Sequence, residues 1–145
     1  MTTFREKRFL PKRDASPAER ERLQQAIADR LSREPDILFA YLHGSFASGE
    51  AFRDIDIGVF VGKKKDLAYK SDLSYELATA LGQEVEVRVI NDAPVAFQMS
   101  VLAGSKLLIS RDDASRTDFI ENVGRRYREY AHFRNIFREA VGAER

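Results

Sequence analysis

The 145-residue chain has no cysteine, which excludes both a disulfide framework and a metal site built on thiolates. It also lacks any apolar run near the ~18 residues that a spanning helix needs. Its first residues, MTTFREKRFLPKRD, have no continuous apolar core of the kind a secretory leader carries. A cytoplasmic protein with no membrane association is the expectation. Nor is there an excess of one charge: 24 Lys and Arg stand against 23 Asp and Glu, for a net charge of +1. That balance argues against a protein built to grip a nucleic-acid backbone, so no direct nucleic-acid partner is expected. Basic clusters at 5–13, 63–65 and 125–126 read as solvated surface. What is present is ordinary for a globular protein, 43% hydrophobic and 32% charged, with length enough for one core.

Periodicity divides the chain into an irregular segment over 1–15 and a single domain over 16–145. Ser16-Pro17-Ala18-Glu19 combines a capping hydroxyl, a proline at the first helical position and an acid in the first turn. The helix it opens places Leu23, Ile27 and Leu31 on one face and stops before Pro35. Residues 37–43 form an apolar, β-rich run. In 54–61, Ile55, Ile57, Val59 and Val61 alternate with Asp54, Asp56, Gly58 and Phe60, the period of a strand with one core face. Ser71 is the expected cap of a helix over 72–81 closed by Gly82. A third alternating strand spans 84–90, with Glu84, Glu86 and Arg88 opposite Val85, Val87 and Val89. A short helix to Ala103, a brief apolar run over 106–109 and a long helix over 115–141 complete the order. The class is α/β (α+β), a small mixed sheet with helices packed on one face and a long C-terminal helix.

The chemistry concentrates in LHGSFASGEAFRDIDIGVF, residues 42–60. Asp54 and Asp56 lie two residues apart on a strand, about 7 Å of rise, with both side chains on one face. Such a pair either lies solvated at an edge or holds a divalent cation together with a substrate's phosphates. Glu86 changes that balance. If the two alternating strands are neighbours with their apolar faces packed together, their polar faces coincide and Glu86 becomes a third acid. The competing view is a surface glutamate beside Arg88. Gly44-Ser45, at the end of the apolar strand, suits a phosphate: the glycine allows close backbone approach, and the serine opens a short helix over 45–48. Arg53, just before the acids, is a candidate nucleotide contact. His43 is expected to be a hydrogen-bonded residue closing its strand, and His132 a surface residue. Tyr127, Tyr130 and Phe133 are expected in the core, with an interaction face as the alternative.

A Gly-Ser pair, a short helix with a second glycine (Gly49), Asp-x-Asp and a later strand acid resemble the polymerase β-like nucleotidyltransferases. Among these the pattern is similar to the minimal nucleotidyltransferases, over roughly 38–92. The resemblance implies a nucleotidyltransferase-like fold and a triphosphate held at Gly44 and Ser45. It further implies magnesium, two ions, on Asp54 and Asp56, with Glu86 standing where the family usually has aspartate. The eight-residue gap from Ser45 to Asp54 is shorter than the family's usual one. Ser48 stands where an arginine often precedes the second glycine. The implied activity is that of an antitoxin transferring AMP from ATP to a tyrosine of a helical HEPN toxin. Two alternatives are a degenerate antitoxin that acts by binding alone and a solo transferase acting on a small-molecule hydroxyl.

Overall fold

The computed structural model describes residues 11–142. Of the irregular segment expected over 1–15 and the basic cluster at 5–13, residues 1–10 lie outside the described residues. Among the described residues nine elements follow in order: α1 Pro17–Leu31, β1 Ile37–His43, α2 Gly44–Ala47, β2 Ile55–Val61, α3 Leu67–Leu81, β3 Val85–Val89, α4 Val95–Leu102, β4 Lys106–Ser110 and α5 Asp113–Gly142. The strands form one mixed sheet in the order β3-β2-β1-β4. β1 is antiparallel to both β2 and β4, and β2 is parallel to β3.

Local chemistry sets the helix ends. The Glu19 N–H donates to Ser16 Oγ at 3.1 Å, with Pro17 following the cap. Helix α3 starts earlier than expected. Its cap is Asp66, which accepts from the Tyr69 N–H at 3.1 Å, and Ser71 lies inside the helix. The polar run from Lys63 thus ends one turn sooner, because a carboxylate at Asp66 captures the first free amides before Ser71 is reached. Arg111 gathers carbonyls at the far end of α1: its guanidinium donates to Ile37 O at 2.9 Å and Glu34 O at 3.2 Å, and also to Ser32 O.

Burial explains the strand patterns. β1 is central, and six of its seven residues are buried, so an unbroken apolar run was needed there. One sheet face packs Ala40, Leu42, Ile55, Ile57, Val59 and Val87 against Leu23, Ile27 and Leu31 of α1 and Leu73 and Leu77 of α3. The expected one-sided packing describes α1 and α3. The structure adds α4 and α5 on the opposite face, where Phe39 and Tyr41 meet Val101, Phe119 and Val123. Gly58 permits this second layer. A Cβ there would lie 3.0 Å from Ile90 Cγ2 and 3.1 Å from Val101 Cγ1. Buried Gln98 ties the layer down, donating to Ile90 O at 2.8 Å while its Oε1 accepts from Arg126 at 3.0 Å.

Helix α5 buries only Phe119 and Val123. Tyr130 and Phe133, expected in the core, are 39% and 68% exposed, because the helix outruns the sheet that covers its first turns. Among the described residues no helix is long and apolar enough to cross a membrane.

Gly58→Val should force α4 off the sheet. A loss of roughly 1–3 kcal/mol is expected from overpacking, read as a lower urea midpoint at unchanged slope. An unchanged midpoint would mean that the two layers are not in contact at Gly58.

Candidate active site

β2 and β3 run parallel with Asp56 opposite Glu86 and Gly58 opposite Arg88. Across the other edge of β2, His43 faces Asp56 and Tyr41 faces Gly58. Residues in register on neighbouring strands share a face. Two rows therefore cross the sheet on the side of α4: His43, Asp56, Glu86 and, one step further in, Tyr41, Gly58, Arg88. Asp54 sits just ahead of β2, which starts at Ile55. Carboxylate oxygens of Asp54, Asp56 and Glu86 all lie within 4.8 Å of one another. The two aspartates are half-buried and Glu86 is exposed.

Gly44 and Ser45 border this cluster. Gly44 has φ +77°, and a Cβ built on it would fall 2.4 Å from Asp56 Oδ2. Only a glycine fits both the left-handed backbone and that approach. Ser45 follows in the first turn of α2, where amide N–H groups have no acceptor within the helix and are available to an anion.

The loop from α2 to the aspartates is clasped from beneath. Arg20 donates to Phe46 O at 2.9 Å, to Glu50 O at 2.8 Å and to Asp14 Oδ1 at 2.7 Å. Its guanidinium also lies over the rings of Phe46 and Phe52, which meet edge to face. Arg13 and Phe52 exchange two backbone hydrogen bonds, each 2.9 Å. A short gap between Ser45 and Asp54 is thereby held in one conformation. Arg20 carried no motif in the sequence, since its role depends on carbonyls 26 and 30 residues away.

Arg53 lines a surface depression of about 480 Å³ with Phe52, Gly82, Gln83 and Glu84. Ser48 turns its hydroxyl back to donate to Ser45 O at 3.0 Å. His132 is exposed, as expected.

His43 departs from expectation. It is 8% exposed, and its Nε2 has no hydrogen-bond partner. Its ring meets Phe97 edge to face with centroids 5.9 Å apart. Burial and then the nearby Arg88 charge push its pKa down to about 4, so the imidazole is neutral at pH 7. Arg88 itself rests over the Phe97 ring, 4.1 Å from the centroid. This grouping of His43, Phe97 and Arg88 on the same sheet face as Asp56 and Glu86 went unread in the sequence, because α4 brings Phe97 in from the far side of a turn.

The oxygen-only donor set suits a hard divalent cation, and the missing Cβ at Gly44 leaves a cradle beside Asp56. The three carboxylates thus converge beside the first turn of α2. Residues 25–114, more than half of the chain, match the Polymerase beta, Nucleotidyltransferase family, and the chain belongs to it. No curated protein matches the sequence.

Solved structures share the fold. One is a complex of a tri-AMPylated Shewanella oneidensis HEPN toxin with its MNT antitoxin, at 23% identity and TM-score 0.66, covering 81% of this chain and 98% of that one. A mutant MntA–HpeT toxin–antitoxin structure matches at 22% identity and TM-score 0.71, covering 81% and 97%. A toxin–antitoxin structure with AMP-PNP matches at 24% identity and TM-score 0.70, with coverage of 81% and 97%.

The depressed His43 pKa carries a pH signature. The unfolded chain takes up a proton near pH 6.5 and the folded one only near 4, so stability falls as pH drops through that window. The loss should be on the order of 2 kcal/mol, with the melting midpoint falling between pH 6.5 and 4 in wild type and much less in His43→Phe. Parallel pH profiles in the two proteins would refute the assignment.

Proposed function

We propose that the chain is a magnesium-dependent nucleotidyltransferase that acts as an antitoxin, moving AMP from ATP to a tyrosine of a helical HEPN toxin in the cytoplasm. The observation that carries this reading is the convergence of Asp54, Asp56 and Glu86 beside Gly44, within 4.8 Å for the acids. The complex of an MNT antitoxin with a tri-AMPylated HEPN toxin supports the choice of partner, and the toxin–antitoxin structure with AMP-PNP the choice of nucleotide.

Asp54, Asp56 and Glu86 would hold the metal ions. Magnesium, when bound, neutralises triphosphate charge and lowers the barrier to attack on the α-phosphorus. Gly44 lets the backbone approach the triphosphate, and the Ser45 N–H and hydroxyl hold its oxygens. Glu86, the most exposed of the acids, accepts the proton of the incoming hydroxyl. The chain's remaining contribution is alignment: the clasp around Arg20 fixes the phosphate side against the metal side. No covalent intermediate with the protein is needed.

Mixing the protein with radiolabelled ATP, magnesium and the HEPN partner should label the partner. Asp54→Ala with Asp56→Ala should cut the rate by at least about a hundredfold, and chelating the metal should do the same. Label transfer unaffected by the double substitution would disprove the reading.

A second reading, neutralisation by binding alone, draws on Ser48, whose hydroxyl is engaged with Ser45 O instead of facing a phosphate. Toxin neutralisation that survives the double substitution would favour it.

A further inference from the structure

We propose that Arg88, seated on Phe97, is the residue that selects an aromatic hydroxyl as the acceptor. The inference rests on the nucleotidyl-transfer reading above and assigns a role on the side of the site opposite the triphosphate.

The argument starts from direction. In nucleotidyl transfer the attacking and leaving oxygens lie roughly in line through the phosphorus. Gly44 and Ser45 lie at the end of β1, on one flank of Asp56, and Glu86 lies on β3, on the other. With the triphosphate's leaving end over Gly44 and Ser45, the acceptor oxygen must come in over β3. That approach passes two side chains on the exposed polar face of β3, Glu86 and Arg88. Glu86 is opposite Asp56 in the ladder, and Arg88 is the next residue on the same face.

Arg88 has the chemistry of an acceptor contact. It is exposed, and among the described residues it is in no ion pair. Its guanidinium sits 4.1 Å from the centre of the half-buried Phe97 ring. Phe97 is in turn fixed by α4, which buried Gln98 anchors to Ile90 O. One side of the guanidinium is thus occupied by an aromatic ring, and because Arg88 is exposed its other side is open. A phenol ring can occupy that open side through the same cation–π attraction. A serine or threonine hydroxyl has no ring to place there. The permanent positive charge also stabilises the aryloxide that forms as the proton leaves. In the step itself, the phenol O–H proton passes to the Glu86 carboxylate and the oxygen forms a bond to the α-phosphorus. The bond from that phosphorus to the bridging oxygen breaks, and its electron pair leaves with pyrophosphate. No oxidant or reductant is involved.

The test uses the full chain, magnesium, radiolabelled ATP and two acceptors, N-acetyl-tyrosinamide and N-acetyl-serinamide. Wild type should label the tyrosine compound preferentially. Arg88→Lys keeps the charge and loses the planar surface, and it should reduce the tyrosine-to-serine ratio of kcat/KM roughly tenfold. Phe97→Leu should lower the ratio in the same direction, with KM for ATP unchanged in both variants. Arg88→Ala should in addition shift the pH dependence of tyrosine labelling upward, a change that loosened packing would not produce. A wild type that labels neither compound, or both equally, overturns the proposal, as does an unchanged ratio in Arg88→Lys and Arg88→Ala. The two failures are distinguishable. Labelling that persists in Asp54→Ala with Asp56→Ala defeats the transfer reading itself, whereas aspartate-dependent labelling that ignores Arg88 defeats only the selection role.

Discussion

Everything at this site depends on like charges being held together by backbone hydrogen bonds. Two unit charges about 5 Å apart repel by roughly 1 kcal/mol in water and about 3 kcal/mol at the effective dielectric of a protein surface. Asp54, Asp56 and Glu86 would separate if they were on flexible segments. Asp56 and Glu86 are not: β2 and β3 pair in parallel over five positions, these two residues are one of those pairs, and Asp54 directly precedes β2. The ladder imposes the repulsion, and a cation would remove it. On the proposed reading, the stability spent in folding would be recovered on binding metal and nucleotide.

The rest of the fold serves that placement by giving the two sheet faces different tasks. One face is sealed by α1 and α3 and carries most of the core. The other is covered by α4 and α5 around Phe39, Tyr41 and Val101, while the row His43, Asp56, Glu86 stays at its margin. Two glycines mark the boundary by opposite uses of a missing side chain. Gly58 lets a helix press onto the sheet, and Gly44 lets the chain turn against a carboxylate. Neutral His43 fits this arrangement: a cation there would compete for Asp56, whereas a buried neutral imidazole would leave the acids to the proposed metal and Arg88 to the proposed acceptor.

Much of this was legible from residue order. Period-2 alternation in 54–61 and 84–90 placed Asp54, Asp56 and Glu86 on polar faces, and adjacency of the two strands brings those faces together. A glycine at position 44 suggested close approach, although the group that a Cβ there would meet at 2.4 Å, the Asp56 carboxylate, emerges only from the antiparallel register with β1. What stayed hidden depends on contacts distant in sequence. The second helical layer follows from Gly58 meeting Val101, the loop clasp from Arg20 reaching Glu50, and the Arg88–Phe97 contact from α4 folding back onto the sheet face that carries Arg88. At α3, two capping residues competed, and the earlier one, Asp66, won. The apolar spacing of α5 read as core with an interaction face as the alternative, since periodicity cannot tell where the covering sheet ends; Phe133 and Phe137 lie beyond it.

The most direct measurement is calorimetric binding of the non-hydrolysable analogue AMPCPP to wild type and to Gly44→Ala, with magnesium and with chelator. Because an alanine Cβ would displace the Asp56 carboxylate, the account predicts binding to wild type only when magnesium is present. It predicts at least about tenfold weaker binding to Gly44→Ala, the consequence of losing about 1.4 kcal/mol of contacts. Equal affinity in both proteins, or binding that ignores the metal, would contradict it.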